Sequence, residues 1–499
     1  MLEYTPDRRL TGGLRLPANK SDSTAHPIKR GFNPSRLILS LAQHHGPAAQ
    51  PVVSEGERVL RGQTVAKAAS PTAADVHAST SGVVQSIEER LVPGPTAVDT
   101  ALCIVIAADG KNEAIDFAAN LPWPEERKAQ LARLRAGGIV GLGGAAYPTA
   151  AKLGAAQSCR TLIINGAECE PYISCDDLLM REAAEEVVAG TRILGAILGV
   201  EQCIIAIERD KPLAIDAIGK AAEAGGTPRL RLAELPSIYP AGGERQLVEV
   251  LTGLEVPAGR YPSDIGFTCQ NVGTAVAVYR LAAHGEPLMT RIVTITGRGV
   301  RESANVEVPI GAPIAELVEF CGGYHEDVRR LVHGGSMMGY ALPSDDIPVT
   351  KGTNCIIAAT LDEVRADYTE WPCIRCSACA NVCPARLQPQ ELLIAARARD
   401  FAALDALGLM ECIECGCCDV VCPSHIPLTE IFRRAKTAYR AHVRNVELSA
   451  ESEQRHLRRE ERRRAEAEQA KQLQEQLKGG IEAAVERARR RRERGGDTD

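Results

Sequence analysis

Eight cysteines fall into two runs of identical spacing, "CIRCSACANVCP" from Cys373 to Pro384 and "CIECGCCDVVCP" from Cys412 to Pro423. In each run three cysteines are separated by two residues, a fourth follows after three more, and a proline closes the run. Three thiols so closely spaced can only converge on a common centre, so this part of the chain must fold around something other than an apolar core. Disulfides fit poorly: cysteines 103, 159, 169, 175, 203, 269, 321 and 355 are scattered singly, no secretory leader is read, and a reducing, cytosolic compartment is expected. A single C-x2-C pair would make zinc a serious rival, but two full runs with prolines favour iron–sulfur ligation. Cys417 breaks no spacing and reads as a small buried residue or one lying behind the ligands.

The run is that of bacterial two-[4Fe–4S] ferredoxins, in which the fourth cysteine ligates the other cluster. This assigns Cys373, Cys376, Cys379 and Cys422 to cluster one. Cys412, Cys415, Cys418 and Cys383 then hold cluster two, and each fourth cysteine is expected to begin a helix beyond its loop.

At 499 residues and 45% hydrophobic content the chain can bury several cores. No apolar run approaches the roughly 20 residues that span a bilayer; "RILGAILGV" from Arg192 is of helix-core length. The net charge of −6 is uneven: residues 431–499 hold 19 Lys/Arg against 13 Asp/Glu, leaving the remainder at −12. That tail is rich in helix formers and poor in apolar positions, which predicts a solvated helical or disordered segment. No aromatic residues interleave with its arginines, so nucleic acid is not an expected partner; anionic lipid or an acidic protein surface is the alternative use of the charge.

Upstream, "GPAAQPVVSEGERVLRGQTVAKAAS" and "ADVHASTSGVVQSIEE" show alternating valines between Glu-Gly, Arg-Gly and Ser-Gly turns, which predicts a small β domain. It resembles the barrel-sandwich hybrid fold of biotinyl and lipoyl domains, but the tip "SPTAADV" lacks their modifiable lysine, which points to a docking or structural module. "GGIVGLGGAAYPTAAKL" from Gly137 is a glycine-rich loop running into a helix with Lys152, followed by the buried strand "TLIIN". Glycines admit backbone N–H groups to a phosphate or flat ring, and a helix N-terminus with a nearby lysine favours an anion; alone, such a turn is as readily a packing device. An α/β unit spans residues 204–231, a helix follows "YPAGGERQL", and Gln270-Asn271 reads as a polar turn opening an apolar helix. Residues 291–360 suggest strands around one helix, similar to an SLBB-type β-grasp domain, and residues 387–409 a helical spacer between the cysteine runs.

"GLGGAAYPTAAKL", "NGAECEP", "YPAGGERQL" and "QNVGT" stand in the order of the FMN- and NADH-binding segments of the complex I flavoprotein. With the β domain before them and the β-grasp and cysteine runs after, and with "GGLRLPANKSDST" and "HGEPL", the chain from about residue 10 to 435 resembles the RnfC family of Rnf (Rsx) electron transport complexes. The resemblance implies a multidomain α/β chain with small β domains. Its expected parts are a barrel-sandwich hybrid domain (1–120), a complex I flavoprotein-like α/β FMN/NADH domain (121–288), an SLBB β-grasp domain (289–362), a two-[4Fe–4S] ferredoxin domain (363–435) and the charged tail (436–499).

By the same resemblance, Gly141, Gly143, Gly144 and Lys152 hold a non-covalent FMN. Asn165 and Glu168 lie beside the isoalloxazine, with Glu170 near the nicotinamide pocket. Tyr239, Gly242 and Glu244 lie near the flavin and its nucleotide partner, and Asn271 and Thr274 meet the phosphate or ribityl chain. The flavoprotein's loop arginine is Leu142 here, an aspartate is Ala167 and a glutamate is Gly243, which bears on how NADH sits.

The implied function is exchange of electrons between NADH and a membrane redox complex through FMN and two [4Fe–4S] clusters, coupled to ion transport. No catalytic acid or base is required, because hydride transfer to a flavin depends on stacking and distance. The implied partners are the integral membrane and redox subunits of a six-subunit Rnf-type assembly, with ferredoxin or flavodoxin engaged indirectly. The implied location is peripheral, on the cytoplasmic side of the inner membrane. A flavin and iron–sulfur cobalamin reductase of bacterial microcompartments shares these modules, and a non-catalytic scaffold that keeps its clusters for stability is the alternative from another class; the β domain ahead of the flavin segment favours the Rnf reading.

Overall fold

The strand Thr161–Gly166 is buried over its first four residues, of which Leu162, Ile163 and Ile164 are apolar, as a strand covered on both faces must be. It lies inside a four-stranded parallel sheet whose spatial order is Arg229–Leu235, Gln202–Glu208, Thr161–Gly166 and Phe267–Asn271. Counted along the chain this is 3-2-1-4, so the winding direction reverses between Thr161–Gly166 and Phe267–Asn271. In open α/β sheets such a reversal leaves a crevice at the carboxyl ends of the two strands, where ligands bind. Helices Ala184–Leu198 and Val272–His284 pack closely because Gly190 has no side chain; a Cβ there would stand 1.9 Å from the Ala275 carbonyl oxygen. Gln270 is the buried fourth residue of its strand and Asn271 alone caps the helix, so the expected two-residue turn is not formed.

The structure is a computed structural model describing residues 10–156, 158–223, 225–364 and 369–494. In the N-terminal domain, the sheet Arg36–Ser40, Val98–Ala108, Gly82–Pro93 and Arg58–Val59 faces a smaller one of Gln50–Pro51, Thr64–Lys67 and Val76–His77. Arg36–Ser40 precedes the region expected to hold this domain's strands; its "RLILS" run is short and apolar, a pattern that periodicity cannot assign. One buried apolar cluster runs from this domain (Leu37, Val65, Ile104) into the parallel-sheet domain (Leu162, Ile205, Val272), so the two share a core.

The third domain is a five-stranded sheet in the order Ala304–Pro309, Thr290–Thr296, Cys355–Thr360, Val328–His333 and Tyr340–Leu342, with helix Ile314–Phe320 packed on it. Lys351, 1% exposed, ties three domains together: its Nζ donates to the Asp75 and Gly138 carbonyls, both at 2.8 Å. Burial pulls its pKa down to about 7.

The cysteine runs flank helices Pro389–Ala398 and Phe401–Ala406, and helix Leu428–Arg494 begins directly after the second run. Leu428, Phe432 and Ala435 bury against Leu392 and Leu393. The same helix then continues without a break through 67 residues, about 100 Å, fully exposed beyond its first turns. The tail is therefore an extension of a ferredoxin-domain helix rather than a separate unit, and its last five residues lie outside the described ones. Among the described residues no helix is long and apolar enough to cross a membrane.

Candidate functional site

Asn165 and Asn271 are register partners at the carboxyl ends of the two strands that bound the crevice. The Asn271 Oδ1 accepts the Gly273 amide (2.8 Å), capping helix Val272–His284, and its Nδ2 donates to Asp176 (2.6 Å). The buried Thr274 hydroxyl accepts the Leu142 amide (2.9 Å), pinning the glycine loop over that helix start. Asn165 donates to the Gly242 carbonyl (2.8 Å), and Lys152 pairs with Glu244 (2.9 Å), both half-exposed. Four separated segments, 141–144, 165–168, 242–244 and 271–274, thus converge on one crevice.

The glycine loop shows whether that crevice has room for a flat ligand. A Cβ on Gly143 would meet nothing closer than the Asn271 side chain at 3.5 Å, and one on Gly144 nothing closer than Asn354 at 3.9 Å. The chain's own packing therefore does not require a glycine at position 143, and the space above Asn271 is left open. An open floor beside a helix N-terminus and a lysine suits a flat ring bearing a phosphate, and the residues present fit FMN.

Glu168 sits at φ +50° with both carboxylate oxygens committed, accepting the Asp176 (2.7 Å) and Asp177 (3.1 Å) amides at the start of helix Cys175–Glu182. Lys20 of the N-terminal segment donates to the Glu168 carbonyl. Ser23 and Ser174 share a buried hydroxyl bond (2.7 Å), so that segment is laced onto the loop. Burial and the neighbouring Glu168 raise the Asp176 pKa to about 7, against the pull of the Asn271 amide.

Two residues that the resemblance puts beside flavin or nicotinamide are engaged elsewhere. Glu170 accepts the Met337 (2.9 Å) and Met338 (2.8 Å) amides of the third domain, and burial raises its carboxyl pKa. Tyr239, 3% exposed, donates its hydroxyl to the Cys415 carbonyl (2.7 Å) in the second cysteine run. Burial, with Glu170 next, pushes its phenol pKa far up, so it remains a donor. Neither contact could be seen in sequence, because each spans more than 160 residues.

In the cysteine domain, Cys373, Cys376, Cys379 and Cys422 line one hollow, and Cys383, Cys412, Cys415 and Cys418 line another together with Cys417. Both runs adopt the left-handed region at the same three offsets: Arg375, Ser377 and Arg386 in the first, Glu414, Gly416 and His425 in the second. Five of these six are not glycine, and such backbone costs of order 1 kcal/mol or more each. Matched strain in two loops has a reason if the loops wrap a common kind of centre. The amides of Arg375 and Glu414 each donate to the first thiol of their run at 3.4 Å, as amides do around cluster sulfurs. These two sets fit cubane iron–sulfur clusters. The fourth cysteines do not open helices; those start later, at Pro389 and Leu428. Cys417 is fully buried.

The model of the RnfC barrel sandwich hybrid domain matches residues 8–111, that of the Nuo51 FMN-binding domain residues 134–280, the SLBB domain residues 292–341 and the 4Fe-4S dicluster domain residues 371–426. A Pseudomonas aeruginosa protein, named as the C subunit of an ion-translocating oxidoreductase complex, is 46% identical over 468 residues, covering 91% of this chain and 59% of its own length. A Pectobacterium atrosepticum protein of the same name is 40% identical over 494 residues, covering 96% of this chain and 70% of its own. The chain belongs to this RnfC family. It spans about three fifths of the length of most of the curated relatives it matches. Among solved structures, a NAD+-reducing [NiFe]-hydrogenase aligns at a TM-score of 0.45 and 20% identity over 59% of this chain and 57% of that one. The four modules occur here in order along the chain, from barrel sandwich to dicluster domain.

Proposed function

We propose that this RnfC-family chain passes electrons between NADH and the one-electron redox subunits of an ion-translocating membrane complex, with FMN in the strand-end crevice and a [4Fe–4S] cluster in each cysteine hollow. The observation that carries the reading is the Tyr239–Cys415 bond, because it fastens the crevice-bearing domain directly to the run that lines the second hollow. Bound FMN supplies the conversion between a hydride's electron pair and the single electrons that clusters accept.

The chain's own work is placement. Gly141, Gly143 and Gly144 leave the floor open. Lys152 and the amides at the start of Val272–His284 favour the phosphate, with Asn271 and Thr274 holding the helix start and the loop in place. Asn165 fixes the 242–244 loop, so Gly242 and Glu244 rim the crevice. Glu168 keeps the 165–177 turn rigid through its two amide bonds, and Glu170 and Tyr239 hold the neighbouring domains against it. Partner subunits in the membrane, ferredoxin or flavodoxin further along, and a peripheral cytoplasmic position complete the reading.

The test is anaerobic stopped-flow on the full chain. NADH should bleach one FMN per chain and then the broad iron–sulfur absorbance, and a dye that takes electrons from flavin should turn over. A flavin-loaded protein that NADH does not bleach would overturn the reading.

A further inference from the structure

The two cysteine runs take the left-handed region at the same offsets, so position 417 of the second can be compared directly with position 378 of the first. Each opens a single helical turn, Cys417–Val420 and Ala378–Asn381, just before the third cysteine of its run. The chain puts a thiol at one and a methyl group at the other. Ala378 is not among the residues that line the first hollow, whereas Cys417 lines the second beside all four expected ligands, so the sulfur is what extends to the centre. The thiols of Cys417 and Cys415 are in hydrogen-bonding contact, and both residues belong to one buried cluster with Tyr239.

Two other groups that face the sulfurs are matched between the runs. The amides of Arg375 and Glu414 each donate to the first cysteine at 3.4 Å, and a polar side chain stands by the third, Gln390 at 3.5 Å from Cys379 and Thr429 at 4.0 Å from Cys418. Asp419, in place of Ala380, adds a carboxylate oxygen 3.6 Å from the Cys418 sulfur. Solvent is not matched. Cys373 and Cys376 are exposed and open to water as a donor, while Cys415 is buried and Cys417 is fully so. Adding an electron to a cluster adds negative charge, which burial disfavours and hydrogen bonds to the sulfurs favour. A donor enclosed with its acceptor away from water is stronger than one in solvent.

We infer that Cys417 donates its S–H to the Cys415 sulfur when that sulfur is a ligand of cluster two, and so holds up the reduction potential of the covered cluster. The inference rests on the proposed function, which puts a [4Fe–4S] cluster in this hollow. Cys417 acts through Cys415 and is not itself a ligand. It supplies in the closed cage the kind of hydrogen bond that water can supply in the open one. The cluster gains or loses one electron, no bond to iron forms or breaks, and the proton stays on the Cys417 sulfur in both states. Free cysteine is also an ordinary filler of buried space, but filling alone makes no use of the S–H.

The test is an anaerobic redox titration of the full-length holoprotein, followed by the EPR of its reduced clusters, in the parent and in Cys417→Ala, Cys417→Val and Cys417→Ser. Asp419 stays in place throughout. One of the two midpoint potentials should become more negative in Cys417→Ala and Cys417→Val, which have no donor and differ in bulk. It should return towards the parent's in Cys417→Ser, which keeps a donor, and the other potential should stay where it is. The same shift should appear in a Cys379→Ala background, where cluster two alone is expected to remain. Iron should stay at about eight atoms per chain in the three single variants. Potentials that ignore Cys417→Ala and Cys417→Val, or a Cys417→Ser variant that shifts as they do, would show that the residue only fills space. Loss of about half the iron from Cys417→Ala would also overturn the inference, by making Cys417 a ligand. A parent that carries no iron would sink the proposed function together with this inference, whereas a two-cluster parent whose potentials do not respond to position 417 sinks the inference alone.

Discussion

Replacing Tyr239 with Phe removes one oxygen from the joint between the strand-end crevice and the second cysteine run, and its effect follows from the contact. The hydroxyl is buried and donates at 2.7 Å to the Cys415 carbonyl, and Tyr239 sits among Leu14, Ile413 and Met337, where no solvent can replace it. A buried acceptor left without its donor costs about 1–3 kcal/mol, while the ring's apolar contacts stay. A chain of several domains does not unfold as one unit, so this loss should surface as local opening. At RT of about 0.6 kcal/mol, 1–3 kcal/mol corresponds to roughly 5- to 150-fold faster amide exchange in the affected unit. Hydrogen–deuterium exchange by mass spectrometry should therefore show Tyr239→Phe accelerating peptides covering 409–418. Peptides from Gly82–Pro93 should be unchanged, and so should bound FMN. Unchanged exchange at 409–418, or acceleration spread evenly over the chain, would refute the idea that this hydroxyl fastens the two domains.

Cys379→Ala should lower anaerobically measured iron from about eight to about four atoms per chain, since it removes one ligand from one hollow; unchanged iron, or stoichiometric zinc in the parent, would refute the assignment. Gly143→Val has room for its Cβ, so the protein should fold, but the branches would fill the floor above Asn271 and FMN affinity should fall at least tenfold, read by quenching of added flavin fluorescence. Lys351 has its folded pKa lowered from 10.5 to about 7, so between those values the unfolded chain binds more protons and stability rises with pH. Relative to Lys351→Met, the parent should gain up to roughly 4 kcal/mol from pH 7 to pH 10, followed by denaturant midpoints; a gap that does not move with pH would show that burial does not depress this lysine.

How far the site could be read from the sequence depended on the range of each interaction. The cluster ligands are set by spacings of two and three residues, and the structure brings each expected set of four to one hollow, with Cys417 also lining the second. The glycine loop and Asn271 were visible as a strand-to-helix pattern, but the crevice itself comes from the 3-2-1-4 strand order, which only the fold displays. Lys351 gave no signal: a lysine in "VTKGTN" reads as a surface turn, and only the meeting of residues 75, 138 and 351 buries it. Glu170 and Tyr239 were singled out by resemblance as nucleotide-site residues. Their hydrogen bonds to Met337, Met338 and Cys415 depend on how the domains pack, which no local pattern encodes.

The duplicated run makes the same point within one domain. Two stretches with matched cysteines, matched prolines and left-handed residues at matched offsets have the same local physics, so each can build the same kind of cage. What distinguishes them is what lies outside: Tyr239 and Met337 cover one, and solvent meets the other. A covered cage fastened to the crevice-bearing domain is suited to exchange electrons within the chain, and an exposed one to exchange them with another protein. Of the five positions at which the two runs differ, Arg375 against Glu414 and Ser377 against Gly416 lie where the second run meets its cover and the first meets solvent. Gly416 in particular could not carry a side chain without pressing on the Met337 carbonyl at 3.0 Å, whereas position 377 is exposed and carries a serine. The difference between a covered and an exposed cage is therefore written around the ligand positions of the repeat, and Gly416→Ser should loosen the inner interface while leaving all eight ligand positions intact.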